Sequence, residues 1–225
     1  MKQSILTVLI FLLISLSQVY CQAIELEKKN LTPVGVNMSI SSAEGRKAVR
    51  ISKNPEITLV DQPTFIRVNG VDFKDGTIEI SVLSKLLPDA PELARGFIGV
   101  AFRINDDNSK FECIYVRPAN ARADDQLRRN HTIQYFSFPD FPFSKTRQET
   151  PGKYESYADM TMNEWIKLKI AVKGSKAQLY INDSDHPFLI VNDLKHGADS
   201  RGGIGLWVDV GTDGFFSDLK VSHEK

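Results

Sequence analysis

From residue 47 to residue 221 the chain keeps returning to one pattern. Short runs in which apolar and polar side chains alternate are closed off by turn signals. A period of two puts successive side chains on opposite faces of an extended strand, so each run has a face to bury. Residues 77–83 are the cleanest case, with Ile78, Ile80 and Val82 on one face and Thr77, Glu79 and Ser81 on the other. Comparable strands are predicted over residues 47–52, 57–60, 64–68, 96–104, 111–116, 132–137, 164–173, 177–181, 188–191, 203–208 and 215–221. Asn69-Gly70, Lys74-Asp75-Gly76 and residues 105–109 supply turns between them. Helical periodicity is thin, with room for a turn or so only in residues 85–94 and 124–130. The pattern predicts an all-β fold, a jelly-roll sandwich of two antiparallel sheets.

Residues 1–21 have the form of a secretory signal peptide: Lys2 near the start, an apolar stretch over residues 5–16, and a cleavage-like Val19-Tyr20-Cys21. The apolar stretch is short for a membrane span. The expected organisation is a leader at 1–21, a lead-in with a first strand at 22–45, and one sandwich domain at 46–225. The expected location is outside the cell or in a periplasm, with no membrane insertion once the leader is removed. Basic and acidic residues number 28 each, so no charge excess points to nucleic acid. If Cys21 leaves with the leader, Cys113 is a lone strand thiol and no disulfide framework exists.

One segment carries more polar chemistry than a turn needs. After the strand at 111–116, in which Phe111, Cys113 and Tyr115 alternate with Glu112, Ile114 and Val116, Arg117-Pro118 ends the ladder, because proline has no N–H to give. Then come Arg122, Asp124, Asp125, Gln126, Arg128, Asn130 and His131, before the next strand with Gln134 and Tyr135. Binding residues concentrate on loops held by a rigid scaffold, and this excursion is the candidate site. The stretch at 138–157, with Pro139, Pro142 and Pro151, is expected to cross an end of the sandwich as a long ordered loop.

Several segments together resemble a known superfamily: FKDGTIEI (73–80), RGFIGVAFR (95–103), FECIYVRP (111–118), ADDQLRRNHTIQY (123–135), PGKYES (151–156), NEWIKLKIAV (163–172) and GGIGLWV (202–208). They are similar to concanavalin A-like lectin/glucanase domains, nearest to laminin G-like, family 16 glycoside hydrolase-like and 3-keto-disaccharide hydrolase-like members. The resemblance implies a sugar bound on the concave outer side of one sheet. It does not carry the family 16 mechanism over. That family has a strand motif of the Glu-x-Asp-x-x-Glu kind, whereas residues 77–83 hold the single carboxylate Glu79. Retaining glycosidases need two carboxyl groups about 5 Å apart.

A sugar is held by carboxylate, amide and guanidinium contacts to its hydroxyls and by aromatic faces against its C–H side. Asp124, Asp125, Gln126, Arg128, Asn130, His131 and Gln134 suit the first role, and Tyr115, Tyr135, Tyr154 and Trp207 the second. Glu79, Arg103, Arg117 and Arg122 complete the set of candidate ligand-binding residues. No catalytic residue is assigned. No cofactor is expected, although Asp124, Asp125 and Asn130 offer oxygens of the kind calcium prefers, as do Asp209 and Asp213; neither group has the spacing of a calcium loop. The expected function is glycan binding by a secreted, monomeric module. The alternatives are a carbohydrate-active hydrolase or lyase, and an extracellular protein-interaction domain.

Overall fold

The computed structural model describes residues 20–224. Among these residues fifteen strands form: β1 (Tyr20–Ala23), β2 (Leu31–Val34), β3 (Val36–Ala43), β4 (Arg46–Lys53), β5 (Phe65–Phe73), β6 (Gly76–Leu86), β7 (Ile98–Ile104), β8 (Phe111–Val116), β9 (Ile133–Phe138), β10 (Glu155–Ser156), β11 (Trp165–Lys173), β12 (Lys176–Ile181), β13 (Leu189–Val191), β14 (Gly202–Val208) and β15 (Thr212–His223). Three short helices join them: α1 (Pro118–Ala121), α2 (Gln126–Asn130) and α3 (Phe143–Glu149). An eight-stranded sheet is ordered β13-β12-β11-β6-β15-β4-β3, with β1 alongside β15. A seven-stranded sheet is ordered β10-β9-β8-β7-β14-β5-β2. Every ladder is antiparallel. The two sheets make the expected jelly-roll sandwich.

The period of two determines what meets between the sheets. Ile78, Ile80 and Val82 of β6 and Ile166, Leu168 and Ile170 of β11 pack against Val100 and Phe102 of β7, Ile114 of β8 and Ile204 and Leu206 of β14. The seven-stranded sheet is buried on its other face too. Phe65, Phe111, Cys113, Tyr115, Phe136 and Trp207 form a second, mainly aromatic cluster there, and β8 has no exposed residue. Each such ring adds roughly 1.5–3 kcal/mol when removed from water. Residues 54–64 and 139–150 roof this layer. Trp207 Nε1 donates to the Gln62 carbonyl, and Gln134 Nε2 donates to Thr146 Oγ1 on α3. Glycine makes the layer possible at two places. A Cβ on Gly99 would lie 2.4 Å from Tyr115 Cα, and one on Gly205 would lie 2.9 Å from the Phe65 ring.

Several expectations need correcting. The segment expected as a lead-in with a first strand, 22–45, supplies strands to both sheets: β2 pairs with β5 and β3 runs the length of β4. Most of the expected leader lies outside the described residues; its last two, Tyr20 and Cys21, pair with His223 and Ser222. Residues 57–60 form no strand but part of the roof. Residues 138–157 fold into α3 and β10 and cover a sheet face instead of crossing an end. Cys113 does lie as a lone structural thiol, fully buried, and burial pushes it well above the ordinary value.

The aromatic layer predicts a penalty for Gly99→Ala. The added methyl meets backbone of β8 that cannot move without breaking its ladders, so we expect a loss of about 1–3 kcal/mol or more. Urea denaturation measures it, and an unchanged midpoint would show that Gly99 is not there to admit Tyr115.

Candidate functional site

At one end of the aromatic layer a cavity of about 240 Å³ opens to solvent. Its floor is Phe97 and Tyr115. One wall comes from the helical excursion between β8 and β9, with Asn120, Arg128 and His131; the facing wall comes from the roof, with Val60, Asp61, Phe143 and Arg147. Arg95 and Leu93, just before β7, and Asp209, just after β14, complete it. Val60 and Leu93 are exposed and form an apolar rim.

Arg117 organises the interior. Its guanidinium donates to the His131 carbonyl, Glu155, the Tyr115 hydroxyl and Gln134 Oε1, at 2.9, 3.2, 2.6 and 3.2 Å. It also lies over the rings of Tyr115, Phe97 and Phe143. Glu155, whose side chain is 3% exposed, takes Arg117 and Arg147 together and lies 3.3 Å from His131 Nε2. Burial is the main cause holding His131 below the ordinary imidazole value, with Arg147 and Arg117 adding to it against Glu155. Near neutral pH it is therefore an uncharged ring with hydrogen-bonding capacity.

A second buried network anchors the roof. Lys53, at the end of β4, pairs with Asp209, with side chains 6% and 4% exposed. Lys53 also donates to the Leu59 carbonyl. Asp209 accepts the Asp61 backbone N–H, and the Asp61 carboxylate accepts the Phe143 N–H. Asp61 has φ of 53°, the left-handed region that most side chains avoid. Burial, with a contribution from Asp209, pushes its carboxyl up to about 7, against the pull of the Phe143 N–H, Arg117 and Lys53.

Of the candidate residues, the structure brings Tyr115, Arg117, Arg128 and His131 together, with Gln134 directly behind Arg117. The others lie elsewhere. Arg122 forms an exposed pair with Asp159. Asp124 is exposed. Asp125 caps α2 by accepting the Arg128 N–H, and Gln126 bonds Asn130 on the solvent side. Tyr135 is buried between the sheets, bonded to Glu112. Trp207 lies fully buried beneath the roof and offers no face to a ligand. Arg103 is at the far end of β7, 1% exposed, tying the Lys74, Gly174 and Gly197 carbonyls to Asp75. Glu79 lies on the outer face of the eight-stranded sheet beside Lys167, opposite to the face of Ile78 and Ile80.

Sequence reasoning missed Asp61, Arg95, Asn120, Phe143 and Arg147. Phe143 and Arg147 lie in the proline-rich stretch expected as a long ordered loop, and Arg95 lies just before a predicted strand. A lone loop aspartate such as Asp61 carries no signal of its own. Among the described residues no three His, Cys, Asp or Glu side chains gather as a metal site requires. A larger cavity, about 470 Å³, lies where β6, β11, β12 and β15 end, between Lys173, Lys176 and His223. Its walls are largely half-exposed or exposed strand residues, and Lys173 is already paired with Glu224, so the smaller cavity has the better-organised polar groups.

The fold has solved counterparts. One is a carbohydrate-binding module, CBM66, from Bacillus subtilis: 17% identical, TM-score 0.57, covering 85% of this chain and 95% of that one. Another is a Bacillus subtilis protein of unknown function with a galectin-like fold: 12% identical, TM-score 0.55, covering 87% and 90%. At such identities the likeness shows the fold alone, a two-sheet jelly roll. No protein-family profile and no curated protein matches the sequence.

Asp61 predicts a pH dependence. Its folded value, about 7, is raised above the ordinary 3.8, so the folded state keeps a proton that the unfolded chain has released. Its contribution to stability is complete below the unfolded value. It then falls by about 1.4 kcal/mol per pH unit until the folded carboxyl ionises. Asp61→Asn keeps the Phe143 acceptor and tolerates the left-handed backbone, and should remove that slope between about pH 5 and pH 7. Urea midpoints across this range test it, and the same slope in both proteins would contradict it.

Proposed function

We propose that this protein binds a carbohydrate in the cavity between the helical excursion and the roof of the seven-stranded sheet. The observation that carries this is the convergence of polar donors and acceptors over ring faces in one opening. Asn120, Arg128 and His131 stand on one side, Phe143 and Arg147 on the other, with Phe97 and Tyr115 beneath. Sugars use the same combination of directional hydrogen bonds and apolar contact. The cavity is somewhat smaller than the ~300–1,000 Å³ typical of drug-sized ligands, which suits about one ring. The carbohydrate-binding module among the structural counterparts supports the reading at the level of fold. Export of the protein, which rests on the pattern of residues 1–21, fits an external glycan.

A hydrolytic reading has one observation in its favour, the presence of two carboxyl groups, Asp61 and Asp209, in the cavity wall. Environments that drive two acids apart are how acid–base pairs are built. Here, however, both oxygens of Asp209 are engaged, Oδ1 by Lys53 and the Val210 N–H and Oδ2 by the Asp61 N–H. Asp209 is thus committed to holding Lys53 and the roof, so we favour binding without turnover.

The test is a glycan array on residues 22–225, followed by calorimetric titration and product analysis of the best hit. His131→Ala should weaken that interaction by about 1–3 kcal/mol while leaving the melting temperature nearly unchanged. Unchanged affinity would remove the cavity from the binding site, and accumulating product would establish the hydrolytic reading.

A further inference from the structure

The ion pairs around the cavity do not balance. Arg117 and Arg147 share Glu155, and Lys53 has Asp209. Arg95 and Arg128 also line the opening, yet among the described residues neither lies within ion-pair distance of a carboxylate. Arg95 donates to the backbone carbonyls of Glu92 and Ala94. The contact of Arg128 Nε with Asn120 Oδ1 is long, 3.4 Å. Eight of the eleven arginines, Arg117 and Arg147 included, lie within reach of an acid; the third without one among the described residues, Arg129, lies outside the cavity against Tyr157.

The two guanidiniums also affect each other. Burial, and then the charge of Arg128, hold Arg95 below its ordinary value, and the charge of Glu92 offsets them only in part. Asp61 is a weak counter-charge near neutral pH because much of it is protonated. The opening is thus left electropositive. Two like charges kept together at a partly dry opening raise each other's energy, and an anion placed between them relieves it. Guanidinium forks match the paired oxygens of carboxylate and sulfate groups, with bonds roughly twice as strong as neutral ones.

We infer that the cavity takes an acidic sugar, a ring bearing a carboxylate or sulfate group, with its anionic group seated between Arg95 and Arg128. This rests on the carbohydrate reading above and names the class of sugar. Neutral rings would meet the same floor and the same His131 but leave the two cations without a partner.

The probes are hexuronate oligosaccharides with their carboxyl-reduced twins, and sulfated galactan oligosaccharides with their desulfated twins, titrated calorimetrically against the intact protein at low and high salt. An acidic probe should bind about 10–100-fold tighter than its neutral twin, and this ratio should shrink as salt rises. The pair showing the preference identifies carboxylate or sulfate as the group. Arg95→Gln and Arg128→Gln should each bring the ratio toward one, whereas Arg122→Gln, in an exposed pair with Asp159, should leave it as it was. Urea midpoints confirm that each variant is folded. Equal binding of acidic and neutral twins, or a ratio that survives both cavity substitutions, would overturn the acidic-sugar inference while leaving carbohydrate binding in place. No binding by any probe, charged or neutral, would overturn both.

Discussion

Lys53 and Asp209 join the two sheets, one at the last residue of β4 and the other just past β14, both nearly inaccessible to water. Neither charge is tolerable there alone. The desolvation of each ion amounts to several kcal/mol and is offset only while the partner is present. The pair is extended on both sides by backbone groups. Lys53 reaches the Leu59 carbonyl, Asp209 receives the Asp61 N–H, and Asp61 receives the Phe143 N–H. One ionic contact therefore ties the eight-stranded sheet, the seven-stranded sheet and both roof segments into one chain.

What the roof encloses follows from that chain. With residues 54–64 and 139–150 held down, the outer face of the seven-stranded sheet becomes a second core, and Trp207 is lost to any ligand. Only at the end where Phe143 and Arg147 face the helical excursion does the layer stay open. Arg117 closes the interior side of this opening by bonding Glu155, Gln134, Tyr115 and the His131 carbonyl, so the side chains nearest solvent inherit a rigid backing. A floor of rings, an uncharged histidine and two arginines without acids are the consequence. That is a surface for a polar ring with a negative group, set on a scaffold whose flat faces are otherwise used for stability.

The sandwich was legible because a half-buried strand and its sequence share a period of two; β6, β7, β11 and β12 lie close to where alternation puts them. The roof was not, because residues 138–157 have no period, and α3 is held by Gln134 and Glu155 on either side of it and by Asp61, 82 residues away. An aromatic strand face looks the same in sequence whether a sugar or a loop lies on it, which is why Trp207 was misplaced. The helical excursion was found, but its polarity divides. Arg128 and His131, three residues apart, turn to the cavity, while Asp125 is spent on capping α2 and Gln126 and Asn130 bond each other in solvent. Asp61 and Arg95 come from separate loops, and only the folded chain brings them near Arg117.

The claim that the Lys53–Asp209 pair holds the cavity wall is tested most directly by amide hydrogen exchange on Lys53→Met. Removing one member of a buried pair should cost about 3–5 kcal/mol and leave Asp209 unable to hold the roof. Exchange should quicken together at the Asp61 and Phe143 amides, well beyond any change at the β8 and β9 amides. Wild-type protection at Asp61 and Phe143 in the folded variant would mean that the roof stands without the pair, and the account would fail.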